Sequence, residues 1–351
     1  MRILLTGGCG FIGSAVVRYL IEQTSHDVLN VDCMTYAGSA ENVASVSENA
    51  RYRHALVNII DAKALKPLFE SYQPEAVMHL AAESHVDRSI DGPGAFVQTN
   101  VTGTYTLLEV ARGYWNKLSS ERQKKFRFQH ISTDEVFGHL DENDPPFTEK
   151  TPYDPRSPYS ATKAASDHLV RAWYSTYGLP CLVTNTTNNY GPFHFPEKLI
   201  PLMIIKALRG EELPVYGQGK NIRDWLYVED HAEALVRAVE RGKPGDTYAI
   251  GARQPHDNLE VVKKICAILD ELRPDEAGPR ERLIRFVSDR PGHDFRYEID
   301  PSHAEEALEW KATHDLDTGL RKTIQWYLNH SAWWQPILEH RYKGHRLGGG
   351  S

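Results

Sequence analysis

The chain has 351 residues, a formal net charge of −7, 41% hydrophobic and 25% charged residues. That length can bury a large core, as one composite domain or two lobes, and the composition is that of a globular protein. The acidic balance argues against nucleic acid as the main partner but leaves room for a local basic pocket. Cys9, Cys33, Cys181 and Cys266 lack C-x-x-C spacing and the histidines form no H-E-x-x-H cluster, so neither a disulfide framework nor a metal site is expected.

The first residues run straight into a strand-like Arg2–Thr6, with no room for a secretory signal, and no apolar run is long enough to span a bilayer. A cytoplasmic location is expected. Further strands are predicted at Val28–Asp32, Arg53–Val57, Ala76–Leu80, Phe126–Ser132 and Cys181–Thr187. Helical patterns fill the gaps at Gly10–Gln23, Ala62–Tyr72, Gly94–Tyr114 and Pro158–Tyr177. Alternation of this kind indicates an α/β protein with a doubly wound parallel sheet of Rossmann type. From about residue 190 the pattern loosens. A loop and helix, a short "LPVYG" strand, the turn-rich "GQGKNIRD" and helices at Val228–Arg241, Leu259–Leu272 and Leu316–His330 predict a smaller, mixed C-terminal lobe. The expected division is 1–190 for the sheet domain, which also receives elements of the later chain, 191–340 mainly for a substrate lobe, and 341–351 for a flexible, glycine-rich tail.

"TGGCGFIG", Thr6 to Gly13, lies between the first strand and the first helix, with Gly7, Gly10 and Gly13 three apart. Glycines there permit a tight turn and close approach of a pyrophosphate to the helix N-terminus. Asp32 closes the second strand about twenty residues on, where an acid accepts hydrogen bonds from a ribose and repels a 2′-phosphate. NAD is therefore favoured over NADP. Ala81 and Ala82, after the fourth strand, admit either a close ribose or nicotinamide or tight strand–helix packing. Tyr159 and Lys163, four apart, share one face of a predicted helix, where an ammonium would lower the phenol's pKa and prepare it to take a hydroxyl proton. Asp134 and Glu135, after Thr133, admit three readings: a helix cap, a strand-end turn, or a catalytic acid and base.

In this order along the chain, these motifs resemble those of the extended short-chain dehydrogenase/reductase family. Six longer stretches, "DCMTYAG", "LAAESHVDRSIDGP", "HISTDEVFG", "NNYGPFHFPEKLIP", "IRDWLYVEDH" and "RPGHDFRYEID", are similar to its dTDP-glucose 4,6-dehydratase branch. The resemblance implies NAD held by Gly7, Gly10, Phe11, Ile12, Gly13, Asp32, Thr35, Gly38, Asn58, Ile59, Leu80, Ala81, Ala82, Thr99, Tyr159 and Lys163. It implies a nucleotide-sugar held by Ser84, His85, Asp87, Asn189, Glu197, Lys198, Arg223, Asn258, Arg290, His293 and Tyr297. It also implies a homodimer formed through the helices near 94–114 and 158–177.

The implied reaction oxidises the sugar at C4 with Tyr159 as base, eliminates water across C5 and C6, and returns hydride to C6. Elimination needs a base and an acid side by side, roles the resemblance gives to Glu135 and Asp134, with Thr133 beside Tyr159 at O4. Two alternatives keep the cofactor motifs: an NAD-dependent nucleotide-sugar 4-epimerase, which leaves the acidic pair unused, and a non-catalytic NAD-binding sensor. The chain departs from the family pattern in three places: Asn58 for Asp, Phe137 for Tyr, and Thr186–Thr187 for Cys–Ser.

Overall fold

The computed structural model describes residues 1–289, 293–340 and 342. Its strands, in chain order, are β1 (Arg2–Thr6), β2 (Asp27–Asp32), β3 (Tyr52–Leu56), β4 (Ala76–His79), β5 (Arg127–Thr133), β6 (Cys181–Thr186), β7 (Asn188–Tyr190), β8 (Leu213–Tyr216), β9 (Ile222–Tyr227), β10 (Thr247–Ile250), β11 (Pro255–Asp257), β12 (Ile284–Val287) and β13 (Arg296–Tyr297). Seven of them form a sheet in the order β10-β6-β5-β4-β1-β2-β3, every neighbouring pair parallel. Both faces are covered, which is why β1 and β6 are buried almost throughout. Ile3 and Leu5 pack on one side with Val16, Leu20 and Leu235. Leu4 packs on the other with Leu65, Phe69, Leu107 and Val170. The order reverses between β1 and β4, and the crevice beyond their C-terminal ends is where such sheets bind ligands.

The helix that carries Tyr159 and Lys163 is fixed at both ends by its own sequence. Ser157 and Ser160 form a reciprocal capping box, Pro158 takes the first turn, and Gly178 ends the helix in the left-handed region. The helix expected at Gly94–Tyr114 is interrupted: Val97–Gly103 is wound as a π-helix before α-helix resumes at Thr104–Trp115. A side chain at Gly103 would come within 2.6 Å of Ile59 Cδ1, so this turn packs directly on the loop after β3. Periodicity alone does not distinguish such a turn from regular helix.

The later chain builds a four-stranded sheet around β9, flanked by β11 and β13 and joined by β7, while β8 pairs with β12. Helices Leu199–Leu208, Asn258–Leu272 and Leu316–Asn329 supply its core, with Ile204, Ile265, Leu320 and Tyr327. Six strands were not predicted: β7, β9, β10, β11, β12 and β13. β9 begins inside the segment read as turn-rich and runs beyond it, and β10 is a four-residue edge strand that returns to the large sheet beside β6. Of the expected tail only Tyr342 is described, buried against the same core. Arg290 lies outside the described residues. Among those residues no helix is long and apolar enough to cross a membrane.

Candidate active site

The glycine turn after β1 closes on itself. Gly7 has φ +78°, and a Cβ there would stand 2.7 Å from the Ala81 amide; one at Gly13 would stand 2.0 Å from the Gly7 carbonyl. The helix Phe11–Gln23 starts at Gly10 with no side-chain cap, so the amides of its first turn, at Phe11, Ile12 and Gly13, are left for an anion. Asp32 is anchored at the lip of the same crevice, its two oxygens accepting the Cys9 and Met34 amides at 2.8 and 2.7 Å. The Thr35–Gly38 turn follows it. Across the switch point Thr6 Oγ1 accepts the Ala81 amide at 3.2 Å, holding the Leu80–Ala82 segment against β1. A cradle that a single methyl would fill, an uncapped helix start and a fixed acid at the strand end together fit a dinucleotide. Gly7, Gly10, Gly13 and Asp32 would hold it.

Along the crevice, β5 ends in Thr133 and turns into a 3₁₀ helix, Asp134–Phe137. Thr133 Oγ1 accepts the Glu135 amide and donates to Asp134 Oδ1, both at 3.3 Å. So the strand-end turn is real, and it drives two neighbouring carboxylates into different surroundings. Asp134 is 1% exposed, whereas Glu135 is half-buried. Burial, with the Glu135 charge second, pushes the Asp134 carboxyl up to about 8, against a partial offset from the Thr187 hydroxyl and Arg223. At neutral pH Asp134 therefore keeps its proton.

Tyr159 is buried beside them. Its phenol is pushed above the ordinary value by burial and by the Glu135 charge, with a hydrogen bond to Thr133 pulling the other way. This corrects the expectation of a lowered phenol: burial and the Glu135 charge outweigh the Thr133 hydrogen bond. Lys163, 4% exposed, donates to the Ile131 carbonyl at 2.7 Å. Burial draws its ammonium down to about 8 and Asp167 draws it back up.

The expected substrate contacts divide into two groups. Arg223 and Tyr297 reach the Asp134–Phe137 turn: Arg223 acts on Asp134, and the Glu135 charge acts on Tyr297. Yet the Arg223 guanidinium, expected as a phosphate donor, is turned onto the carbonyls of Ile222, Asp294 and Phe295 and lies 4.3 Å from the Tyr297 ring centroid. Asn189 is oriented by His231 (2.8 Å), whose other nitrogen meets Thr186 at 3.0 Å.

The remaining contacts lie further out. Glu197 binds Arg88 at 2.8 Å and Tyr36 at 3.1 Å, and Lys198 donates to the Ser84 carbonyl, so these residues tie the segments after β2 and β4 to the loop before Leu199. His85 caps the Arg88 amide beside buried Asp87. Asn258 and His293 make their contacts with Asn221 and Asp289. Sequence reasoning passed over Asp167, Asp224, His231 and Tyr36. Asp167 alone carried a signal, since it continues the four-residue spacing of Tyr159 and Lys163.

A family model described as GDP-mannose 4,6 dehydratase matches residues 4–323. The chain belongs to that family. Within the GDP-mannose 4,6 dehydratase family it is 56% identical over 359 residues to a dTDP-glucose 4,6-dehydratase of Escherichia coli, covering 99% of both chains. It is 57% identical over 352 residues to one of Neisseria meningitidis, again covering 99% of each. The solved dTDP-glucose 4,6-dehydratase DesIV of Streptomyces venezuelae, which carries NAD, superposes with a TM-score of 0.87 at 39% identity, over 96% of this chain and 100% of that one.

The three departures from the family pattern have local accounts. Asn58 turns its side-chain oxygen onto the Ile60 amide at 3.1 Å, a turn that an Asp would make equally well. Phe137 is buried between the Phe147 and Tyr153 rings, 5.2 and 5.3 Å between centroids, where an apolar edge suffices. Thr186 and Thr187 bring hydroxyls to His231 and to the Asp224 carbonyl, and Thr187 also acts on Asp134.

Proposed function

We propose that this protein is an NAD-dependent dTDP-glucose 4,6-dehydratase, converting dTDP-glucose to the 4-keto-6-deoxy sugar. The observation that carries the reading is the pairing of buried Asp134, its carboxyl raised by that burial, with half-buried Glu135 at the end of β5. Elimination requires an acid and a base in adjacent positions, and oxidation and re-reduction at C4 alone require neither. The family description bears another member's nucleotide-sugar, but the relatives at 56–57% identity are named for dTDP-glucose.

In this reading Tyr159 takes the proton of the C4 hydroxyl, with Thr133 hydrogen-bonded to it and the Lys163 ammonium favouring the phenolate. Bound NAD supplies the hydride acceptor at C4 and the hydride donor at C6. Glu135 removes the C5 proton, made acidic by the neighbouring ketone, Asp134 donates to the departing C6 hydroxyl, and a proton returns to C5 as hydride reaches C6. Asn189, Arg223 and Tyr297 line the sugar and diphosphate region from the C-terminal lobe, and Ser84, His85, Asp87, Glu197, Lys198, Asn258 and His293 complete that side. Residues 1–190 with β10 form the cofactor part and 191–340 mainly the substrate part.

The same reading includes a cytoplasmic homodimer. The helices Thr104–Trp115 and Pro158–Tyr177 carry exposed Tyr105, Tyr174 and Tyr177, and Trp173 meets two of these rings at 5.4–5.9 Å. Exposed aromatic patches of this kind mark interfaces.

Incubation with dTDP-, UDP-, GDP- and CDP-glucose side by side tests the reading. A 4-keto-6-deoxy product from dTDP-glucose supports it; dTDP-galactose, or no turnover of any of the four, overturns it. Glu135→Gln should abolish that product while leaving NAD binding intact, and near-normal dehydration by this variant would remove Glu135 as the C5 base.

A further inference from the structure

One buried carboxylate sits where the oxidation and elimination halves of the site meet, and the chemistry above gives it no part. Asp167 lies one turn beyond Lys163 on the helix Pro158–Tyr177 and is fully buried. Its Oδ2 accepts the Ser132 hydroxyl at 2.8 Å, the Tyr153 hydroxyl at 2.8 Å and the Asn185 amide at 3.2 Å. Its Oδ1 lies 3.1 Å from His130 Nε2. Asn185 Nδ2 also donates to the Thr133 carbonyl at 3.1 Å, so the cluster reaches the strand end that presents Asp134 and Glu135.

A buried ammonium needs a compensating charge, or it gives up its proton. The groups that face this pocket come from every element around it. β5 contributes His130 and β4 contributes His79, with ring centroids 5.2 Å apart. The Arg171 guanidinium meets Tyr153 at 2.8 Å, and Glu135 faces Tyr159. Burial holds His130 down to about 4 and His79 well below its ordinary value, so both histidines are neutral. Burial alone would raise Asp167, but the hydrogen bond from His130, the Lys163 charge and the Ser132 hydroxyl outweigh it, and the carboxyl stays below its ordinary range. Asp167 is thus the ionised acid one helical turn beyond Lys163, hydrogen-bonded to Ser132 next to the Ile131 carbonyl on which the lysine sits.

We propose that Asp167 is a positioning residue for this reaction, supplying the counter-charge that keeps Lys163 an ammonium while pinning the end of β5 that carries Asp134 and Glu135. The proposal rests on the dehydratase reading for its kinetic consequence, and for the state of Lys163 on the burial of both groups one helical turn apart and on the Asp167 charge that raises the ammonium. Asp167→Asn keeps an oxygen for Ser132 and Tyr153 and removes the charge, and neutral His130 accepts the new amide at Nε2 once its proton moves to Nδ1.

The test is a pH titration of Lys163 in the full-length protein carrying ¹³Cε-lysine, followed by NMR, alongside kcat and KM for dTDP-glucose across pH. The wild-type midpoint is expected near 8, and that of Asp167→Asn at least about one unit lower. The alkaline limb of kcat should move by the same amount, a fall of about tenfold at pH 8.5, with KM within about twofold. Asp167→Glu should restore the limb. Asp167→Ser carries the same expectation as Asn where the Asn variant does not fold. An unmoved lysine midpoint, or a loss of kcat equal at every pH, overturns the proposal. Wild-type protein that leaves dTDP-glucose unchanged would overturn the dehydratase reading instead, and the titration would still decide the role of Asp167.

Discussion

Asp134→Asn removes a titrating group from a site that is 1% exposed while keeping its shape and one hydrogen-bonding oxygen. Below about pH 4 the Asp134 carboxyl is protonated whether the chain is folded or not, so its burial carries no ionisation penalty there. Between pH 4 and its folded value of about 8, the unfolded chain releases a proton that the folded chain retains. Stability is then lost at roughly 1.4 kcal/mol per pH unit, levelling off as the pH passes 8. Asn titrates in neither state. The stability of Asp134→Asn relative to wild type should therefore grow by about 3 kcal/mol between pH 5 and pH 8, a large share of a typical ~5–15 kcal/mol total. Guanidinium unfolding followed by tryptophan fluorescence at the two pH values, both proteins at saturating NAD, measures the difference. Dehydration by the same variant should fall by ~10²–10⁴-fold, the usual worth of a positioned acid. A stability difference constant to within about 1 kcal/mol between pH 5 and pH 8 would refute the raised pKa, and with it the assignment of Asp134 as the acid.

Tyr159→Phe should leave NAD binding intact and remove the transient absorbance of reduced cofactor at about 340 nm on mixing with dTDP-glucose, since no group then takes the O4 proton. Gly13→Ala places a methyl 2.0 Å from the Gly7 carbonyl, and thermal melting and NAD titration should show a loss of about 1–3 kcal/mol or more together with much weaker binding. Glu197→Gln breaks the charge-assisted bond to Arg88 that spans the crevice, so NAD retained through gel filtration should fall and its release rate rise ~10-fold or more. Tyr105→Arg combined with Tyr177→Arg places charge in the exposed aromatic patch. It should convert a dimer to a monomer by light scattering at unchanged thermal stability.

The cofactor end was legible because its information is local. Gly7 and Gly13 are required by backbone geometry within a single turn, and the Ser157–Pro158–Ser160 cap fixes where the helix of Tyr159 and Lys163 begins. The large parallel sheet followed from the same local alternation of strand and helix, whereas β10 joins it only through tertiary pairing with β6 and left no periodic trace in four residues. The state of the reactive groups was not legible, because it depends on partners far along the chain. Arg223 and Asp224, some ninety residues after Asp134, help to set its proton affinity, and Arg223 is itself drawn away from solvent by the carbonyls of Asp294 and Phe295. Burial likewise reversed the expected shift of Tyr159, a sign that the Tyr–Lys spacing does not carry. Adjacent acids first suggest mutual repulsion and a solvated turn. In a 3₁₀ turn, however, successive side chains leave the axis about 120° apart. Thr133 caps that turn by accepting the Glu135 amide, so one carboxylate is buried and the next stays half-exposed. Adjacency in sequence therefore helps to separate the pair electrostatically: the buried acid holds its proton chiefly because it is buried, and the charge of its close neighbour adds to that.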